Sequence, residues 1–486
     1  MATKKDLVEA HAFSRRRLVT AFVSGAPGGR EVEPARPGRT IVGGLALAVL
    51  LIAGAAIAGI FSPSVDEDWA DQPGLVISKE TGAAYVITDG AAADPEDEGG
   101  SGAVLRPVIN ITSAMLILGA DIAPEIVPQK AIDAQTIGDD IGILNAPASV
   151  PSPSLLIDTG WTACTNEGRG TRVNLTATPG AKVVDGGGFV VESDGQYYVI
   201  AQGRQEGDAT PRAHSYALPS GGGQDARARD AMLAELGLPP AVEALRVPGE
   251  WLALFPAGGA LDVESFQTEA GGSLSYVGGS SGIPPDARAG DVVEEADGSD
   301  AYLLTEQGPA PLDAFSLAVY RSLPAPDTPT VHETDSPVSA VFARQPYLDA
   351  HWPDTTLEPV PGEACALLQP EAGSVPAVQI AADPSEEASA YDVSSGQRSV
   401  RVDPGRGSYV ISGGWNDTTE GSPYLVDAKG VAYPLVGAGT ADLLGYGGYD
   451  APVVPDTWIE LFDSEVSLSQ EQALCPPDIE AGRTCD

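Results

Sequence analysis

The residues best able to do chemistry in this chain of 486 residues are few and widely separated. Leu155-Leu156-Ile157-Asp158-Thr159-Gly160 carries half of the pattern in which two carboxylates share a proton. A second Asp-Thr-Gly is absent and Trp161 follows, so the segment reads as a strand end leading to Cys164. Gly278-Gly279-Ser280-Ser281-Gly282 fits Gly-x-Ser-x-Gly, but a nucleophile elbow needs a strand before it and a helix after it. Its neighbours are a Gly/Ser loop and Ile283-Pro284-Pro285. Beyond residue 61 the lysines are Lys79, Lys130, Lys182 and Lys429, none preceded by Gly, so nucleotide phosphates find no recognisable cradle. Asp94-Pro95-Glu96-Asp97-Glu98 lacks the ligand spacing and the Gly of a calcium loop. His11, His214, His332 and His351 are scattered and no Cys-x-x-Cys occurs, so neither a metal set nor a cofactor is predicted. Thiol oxidation remains. Cys164, Cys365, Cys475 and Cys485 form an even set, which suits two disulfides in an oxidising compartment with three pairings open. A local Cys475–Cys485 clip, leaving Cys164 to bridge to Cys365, is the pairing favoured here.

The elements that must position these groups begin with an uncharged run, Ile41 to Phe61. As a helix it would span roughly 31 Å, the thickness of a bilayer core. Residues 1–40 carry eight basic and four acidic residues, whereas Asp66, Glu67, Asp68 and Asp71 follow the run. The bias toward positive charge inside predicts a single-pass anchor with residues 1–40 in the cytoplasm and the bulk of the chain outside it. A cleavable signal fits less well, because the basic region is long and no small-x-small site follows in the polar flank. Residues 62–486 hold 19 basic against 64 acidic residues, a net charge of −45. Such a surface repels phosphate backbones and argues against nucleic acid as a partner.

A short pattern recurs in the acidic body: Tyr85-Val86-Ile87, Tyr198-Val199-Ile200, Tyr302-Leu303-Leu304 and Tyr424-Leu425-Val426, each with a Gly a few residues on. Each copy reads as a strand ending in a turn. A second pattern supports the first. Leu236-Gly237-Leu238 precedes Trp251-Leu252-Ala253-Leu254-Phe255, and Leu444-Gly445-Tyr446 precedes Trp458-Ile459-Glu460-Leu461-Phe462. The Leu-Gly step reads as the end of a short helix, Asp230 to Leu236 in the earlier copy, with Gly as the cap. Repeats of this period are small α+β modules rather than solenoid units. The stretches 150–187 and 323–405, rich in Pro, Ser and Asp, are extra material holding Cys164 and Cys365. A bridge between them would make a central unit from which repeats one and two, and three and four, hang.

The arm Asp6-Leu7-Val8-Glu9-Ala10-His11-Ala12-Phe13-Ser14-Arg15-Arg16-Arg17-Leu18-Val19-Thr20-Ala21-Phe22-Val23-Ser24-Gly25, continued by Pro27-Gly28-Gly29-Arg30-Glu31-Val32-Glu33-Pro34, resembles the N-terminus of EccB, a membrane component of actinobacterial type VII (ESX) secretion systems. The anchor, the four repeats, the cysteine pair and the Trp-Ile-Glu-Leu-Phe segment extend the likeness over nearly the whole chain. The resemblance implies a homo-oligomeric inner-membrane subunit facing the periplasm beside EccC, EccD, EccE and the mycosin protease. It implies four repeats around a β-rich central domain, with the family's disulfide falling on Cys164 and Cys365. Some relatives carry an ATPase label, for which no Walker motif is present here. A further likeness of the repeats to a wall-binding module keeps peptidoglycan as an alternative ligand.

The expected fold is therefore α+β: one N-terminal transmembrane helix, then an elongated periplasmic region of four repeats around a β-rich centre. The expected segments are a cytoplasmic arm (1–40), the anchor (41–61), repeat 1 (62–149), the first central part (150–187) and repeat 2 (188–286). Repeat 3 (287–325), the second central part (326–405), repeat 4 (406–470) and a tail (471–486) follow. In the arm, Leu7, Phe13, Leu18 and Phe22 with Arg15, Arg16 and Arg17 are the expected docking residues, in an amphipathic helix at the cytoplasmic lipid surface. Tyr85, Tyr198, Tyr302, Tyr424, Trp251 and Trp458 are the expected repeat core. The expected role is structural, forming a periplasmic vestibule for export, with ATP hydrolysis and wall attachment as rivals.

Overall fold

The computed structural model describes residues 4–24, 69–88, 104–204, 210–296, 298, 300–324, 327–383, 392–464 and 466–477. The helix Lys4–Ser24 belongs to one compact unit, and the chain from residue 68 onward forms a second. The run Ile41 to Phe61 lies outside the described residues, and among those described no helix is long and apolar enough to cross a membrane.

Four sheets of the body share one topology. In each, three strands run as an antiparallel meander, and a helix then leads to a fourth strand parallel to the first and paired with it. The first module uses Gly74–Ser78, Ala84–Thr88 and Val104–Pro107, then helix Ile111–Leu118 and strand Glu125–Val127. The second uses Gly187–Ser193, Gln196–Gln202 and Ala213–Ala217, then helix Gln224–Glu235 and strand Leu245–Arg246. The third uses Val292–Glu295, Ala301–Thr305 and Gly308–Leu312, then helix Ala314–Arg321 and strand Val331–Thr334. The fourth uses Ser408–Gly413, Ser422–Val426 and Ala432–Pro434, then helix Thr440–Leu443 and strand Val453–Pro455. A helix stands before the last strand because parallel neighbours cannot be joined by a tight turn.

The recurrent tyrosines all lie on the second strand, where each faces a valine of the first: Val76, Val191, Val293 and Val410. On the third strand their partners are Pro107, Ala217, Pro311 and Pro434. The Leu-Gly steps end their helices in one way. Gly237 (φ 85°) donates to Ala234 O and Leu238 N–H reaches Leu233 O at 2.8 Å. Gly445 (φ 87°) donates to Asp442 O and Tyr446 N–H reaches Ala441 O, also at 2.8 Å. Both are Schellman ends, in which a left-handed residue returns two N–H groups to the last turn, and glycine takes that backbone without steric cost. The earlier helix is longer than the sequence suggested, running Gln224–Glu235.

Between the modules lies a six-stranded sheet ordered Arg398–Val402, Thr171–Leu175, Trp161–Thr165, Glu363–Gln369, Ala377–Asp383, Lys182–Val183. Its two halves come from chain segments about 200 residues apart, joined where Trp161–Thr165 pairs with Glu363–Gln369. Two strands of the segment after residue 326 serve other sheets: Val331–Thr334 completes the third module, and Glu358–Pro359 pairs with Gly187-Gly188 of the second.

Packing between modules departs from the order one-with-two and three-with-four. The helices of the second and third modules pack together. The first module's helix packs instead on the fourth module's helix and on Gln470–Ala473. Leu116 and Ile143 from the first module thus share a core with Leu425, Tyr433, Leu444 and Tyr446 of the fourth. The strand that precedes the fourth module, Arg398–Val402, pairs with Thr171–Leu175 in the bridged sheet, and the strand that follows the first module, Trp161–Thr165, lies next to Thr171–Leu175 on the other side.

Candidate functional site: the bridged sheet and the joints around it

Cys164 and Cys365 are directly opposed on neighbouring strands and form a disulfide. Both are fully buried with Ala181, Leu367 and Ala381. Cys475 is also disulfide-bonded; Cys485, the partner expected for it, lies outside the described residues.

Arg172 is the cross-strand neighbour of Cys164 on its other side. Its guanidinium reaches Asp383 at 2.8 Å and Glu363 at 3.8 Å, and all three side chains are nearly buried. Two carboxylates around one guanidinium keep this charge solvated by protein, where losing one partner would leave an uncompensated buried ion. Sequence reading missed the cluster, although the alternation Thr171-Arg172-Val173-Asn174-Leu175 puts Arg172 and Val173 on opposite faces.

Two tryptophans fasten the modules. In the second and fourth modules a proline, Pro248 two residues past the last strand or Pro455 at its end, leads into a four-residue helix. The third residue of that helix is Trp251 or Trp458, each fully buried. Trp251 Nε1–H donates to Ala163 O in the central sheet at 3.0 Å, and Trp458 Nε1–H donates to Leu254 O in the second module at 3.3 Å. The fourth module is thereby tied to the second, and the second to the strand carrying Cys164. Among the tyrosines, Tyr85 and Tyr302 are buried, whereas Tyr198 and Tyr424 are half-buried.

Asp313 organises the joint of the second and third modules. It caps helix Ala314–Arg321 by accepting from Ser316 N–H at 2.8 Å, and pairs with Arg204 of the second module. Burial raises its carboxyl above the usual range, against the lowering contributed by Ser316, Arg204 and Tyr347. Burial likewise pushes the Tyr347 phenol up to about 12. Trp352, absent from the expected core, stacks on Tyr347 at 5.7 Å and meets Phe266 edge-on at 5.1 Å.

Asp158, set aside as half a protease motif, lines a cleft of about 370 Å³ with Thr159, Thr210, Gln369, Glu371 and Asp450. Tyr449 donates its hydroxyl to it, and burial raises its pKa. Gly278-Gly279-Ser280-Ser281-Gly282 is a turn with three glycines at positive φ. Among the described residues, no three or more His, Cys, Asp or Glu side chains are placed to hold a metal ion. In the helix Lys4–Ser24 the side chains of Val8, Phe13, Leu18 and Val19 are exposed, as are Arg15 and Arg16. The side chains of Leu7, Arg17 and Phe22 lie outside the description. The arrangement holds modules together.

The family model described as type VII secretion system ESX-1, transport TM domain B matches residues 1–479. The chain belongs to the EccB family. One relative is the ESX-1 secretion system ATPase EccB1 of Mycolicibacterium smegmatis, 25% identical over 474 residues, with 90% of this chain and 88% of the relative covered. Another is the ESX-2 secretion system ATPase EccB2 of Mycobacterium tuberculosis, 27% identical over 298 residues, covering 57% of this chain and 55% of the relative. Among solved structures, a chain of an intact ESX-5 inner membrane complex superposes with TM-score 0.57 at 22% identity, covering 100% of this chain and 98% of that one. The EccB3 dimer of the ESX-3 core complex gives TM-score 0.59 at 20% identity, over 83% of this chain and 100% of that one. These likenesses establish an EccB-type fold for the body.

Proposed function

We propose that this EccB-family chain is a structural subunit of a type VII secretion inner-membrane complex, with the acidic body outside the cytoplasm as part of a vestibule through which proteins leave. The family match over residues 1–479 carries the reading. The geometry supports it: four modules locked onto one bridged sheet suit a scaffold, and an oxidised Cys164–Cys365 pair suits an oxidising compartment. The run Ile41 to Phe61 is the single-pass anchor in this reading. The helix Lys4–Ser24, with Val8, Phe13 and Leu18 exposed, docks on neighbouring subunits at the cytoplasmic face. EccC, EccD, EccE and the mycosin protease are the companions proposed, along with further copies of this chain.

Affinity purification of the tagged full-length protein in detergent tests the assignment. Co-purification of the secretion motor and its membrane partners is expected. Deleting residues 1–40 should release them, and an intact complex after that deletion would sink the docking role. The relatives are named ATPases, and phosphate release by the purified protein with Mg²⁺ and ATP would reveal such an activity. The structural reading expects none. Co-sedimentation with peptidoglycan tests the wall-binding alternative in the same way.

A further inference from the structure

His214 sits on the third strand of the second module, 7% exposed, with its ring stacked on that of His351 at 5.1 Å and 5°. His351 follows the short helix Leu348–Ala350 in a left-handed turn at φ 56°, and its own side chain faces solvent. The fit is close. A Cβ on Gly203 would stand 2.4 Å from His351 O and 3.1 Å from His214 Nδ1, so the turn closes over bare backbone. His214 Nδ1 lies 3.0 Å from Arg212 O. A carbonyl only accepts, so Nδ1 carries the proton and Nε2 is the nitrogen left to take up acid. Arg212 itself lies over Trp415 of the fourth module at 5.8 Å and reaches Asn416 Oδ1 at 3.5 Å.

We propose that His214 and His351 form an acid-sensitive latch joining the second module, the 347–352 segment and the fourth module. Among the described residues, three elements supply the groups around His214. From its own hairpin come Arg212 and Tyr216, whose hydroxyl donates to His351 O; from the neighbouring strand come Ala201 and Gly203; from the 347–352 segment comes His351. The fourth module brings Trp415 and Asn416 to Arg212. Arg204, whose N–H meets Trp352 O, has its counter-ion in Asp313. Among the described residues, His351 and Arg212 are the groups whose charge acts on the imidazole. A proton on His214 therefore adds a cation between His351 and Arg212. Relief comes by lifting the His351 turn, which breaks the Tyr216–His351 and Arg204–Trp352 hydrogen bonds and loosens Arg212 from Trp415.

Burial, then His351, then Arg212 hold the His214 pKa at about 4, against about 6.5 once the ring is released. Between pH 7.5 and 5.0 the opening equilibrium should therefore rise about thirty-fold. The test is hydrogen exchange read by mass spectrometry on the full-length protein in detergent, with rates corrected for the intrinsic pH dependence. Peptides covering 347–352 and 413–417 should lose protection by that factor in the native protein, while the strand 363–369 keeps it. His214→Gln should leave both peptides equally protected at the two pH values. Equal corrected protection in the native protein, or an H214Q variant that opens as the native protein does, overturns the latch. If H214Q fails to fold, His351→Gln carries the test: without the ring stacked on His214 the opening shrinks, and an undiminished opening overturns the proposal.

Discussion

Replacing Cys164 and Cys365 together by alanine removes the covalent tie at the centre of the body. The pair closes a loop with a sequence separation of 201. Chain-entropy accounting for a loop of that size gives about 5 kcal/mol, because the unfolded chain regains the freedom the bridge withheld. Local packing adds less: each truncation leaves a one-atom void beside Ala181, Leu367 and Ala381, on the order of 1 kcal/mol. Both effects act in the same direction. Urea titration of the full-length protein in detergent, followed by tryptophan fluorescence, is the appropriate assay. Trp161, Trp251, Trp352 and Trp458 are all among the fully buried side chains, so the signal reports on the core around the bridge. The double variant should unfold with about 6 kcal/mol less stability, and reductant, which also opens the Cys475 bond, should lower the native protein's midpoint as well. A loss below about 1 kcal/mol would mean that the unfolded chain is already constrained, and the loop argument would fail.

Three further outcomes follow from individual contacts. Trp251→Ala empties a fully buried indole site and strands Ala163 O, so it should cost about 3–5 kcal/mol in chemical denaturation, with Trp251→Phe losing distinctly less. Gly237→Ala should destabilise more than Gly445→Ala in thermal melts, although both have positive φ. The new methyl would stand 2.4 Å from Leu357 O in the first case and 3.1 Å from the Ala120 Cβ in the second. His214 is a base whose folded pKa, about 4, lies below its unfolded value. Its contribution to stability is therefore complete above about pH 6.5 and falls as pH drops through this window, reaching roughly 3 kcal/mol lost below pH 4. H214Q should flatten that part of the stability–pH curve, measured by denaturation at fixed pH steps.

The local devices were legible in the sequence because they are written in consecutive residues. Tyr-Val-Ile marks a central strand by alternation and β-branching, and Leu-Gly marks a helix end because only glycine enters the left-handed cap freely. Longer-range facts were not. Strands as short as Leu245–Arg246 and Glu358–Pro359 carry no period of their own and exist through their partners. The packing of the first module on the fourth depends on strands about 200 residues apart meeting in one sheet, which no local pattern reports. Arg172, Asp313, His214 and His351 looked like isolated polar residues because their partners arrive from other segments. Asp158 failed as half of a protease motif, yet the same residue lines a cleft once Asp450 and Glu371 are brought beside it.

The position of the bridge has a mechanical consequence. Tension applied to the body between residues 69 and 477 enters through the first module and reaches the strand Trp161–Thr165. There the Cys164–Cys365 bond hands it to Glu363–Gln369, from which it leaves through the fourth module. The second and third modules sit on the closed loop, outside the line of force. They would keep their shape and surfaces while the outer modules bear the load, and the first joint to yield would be the shared core of Leu116, Ile143, Tyr433 and Tyr446.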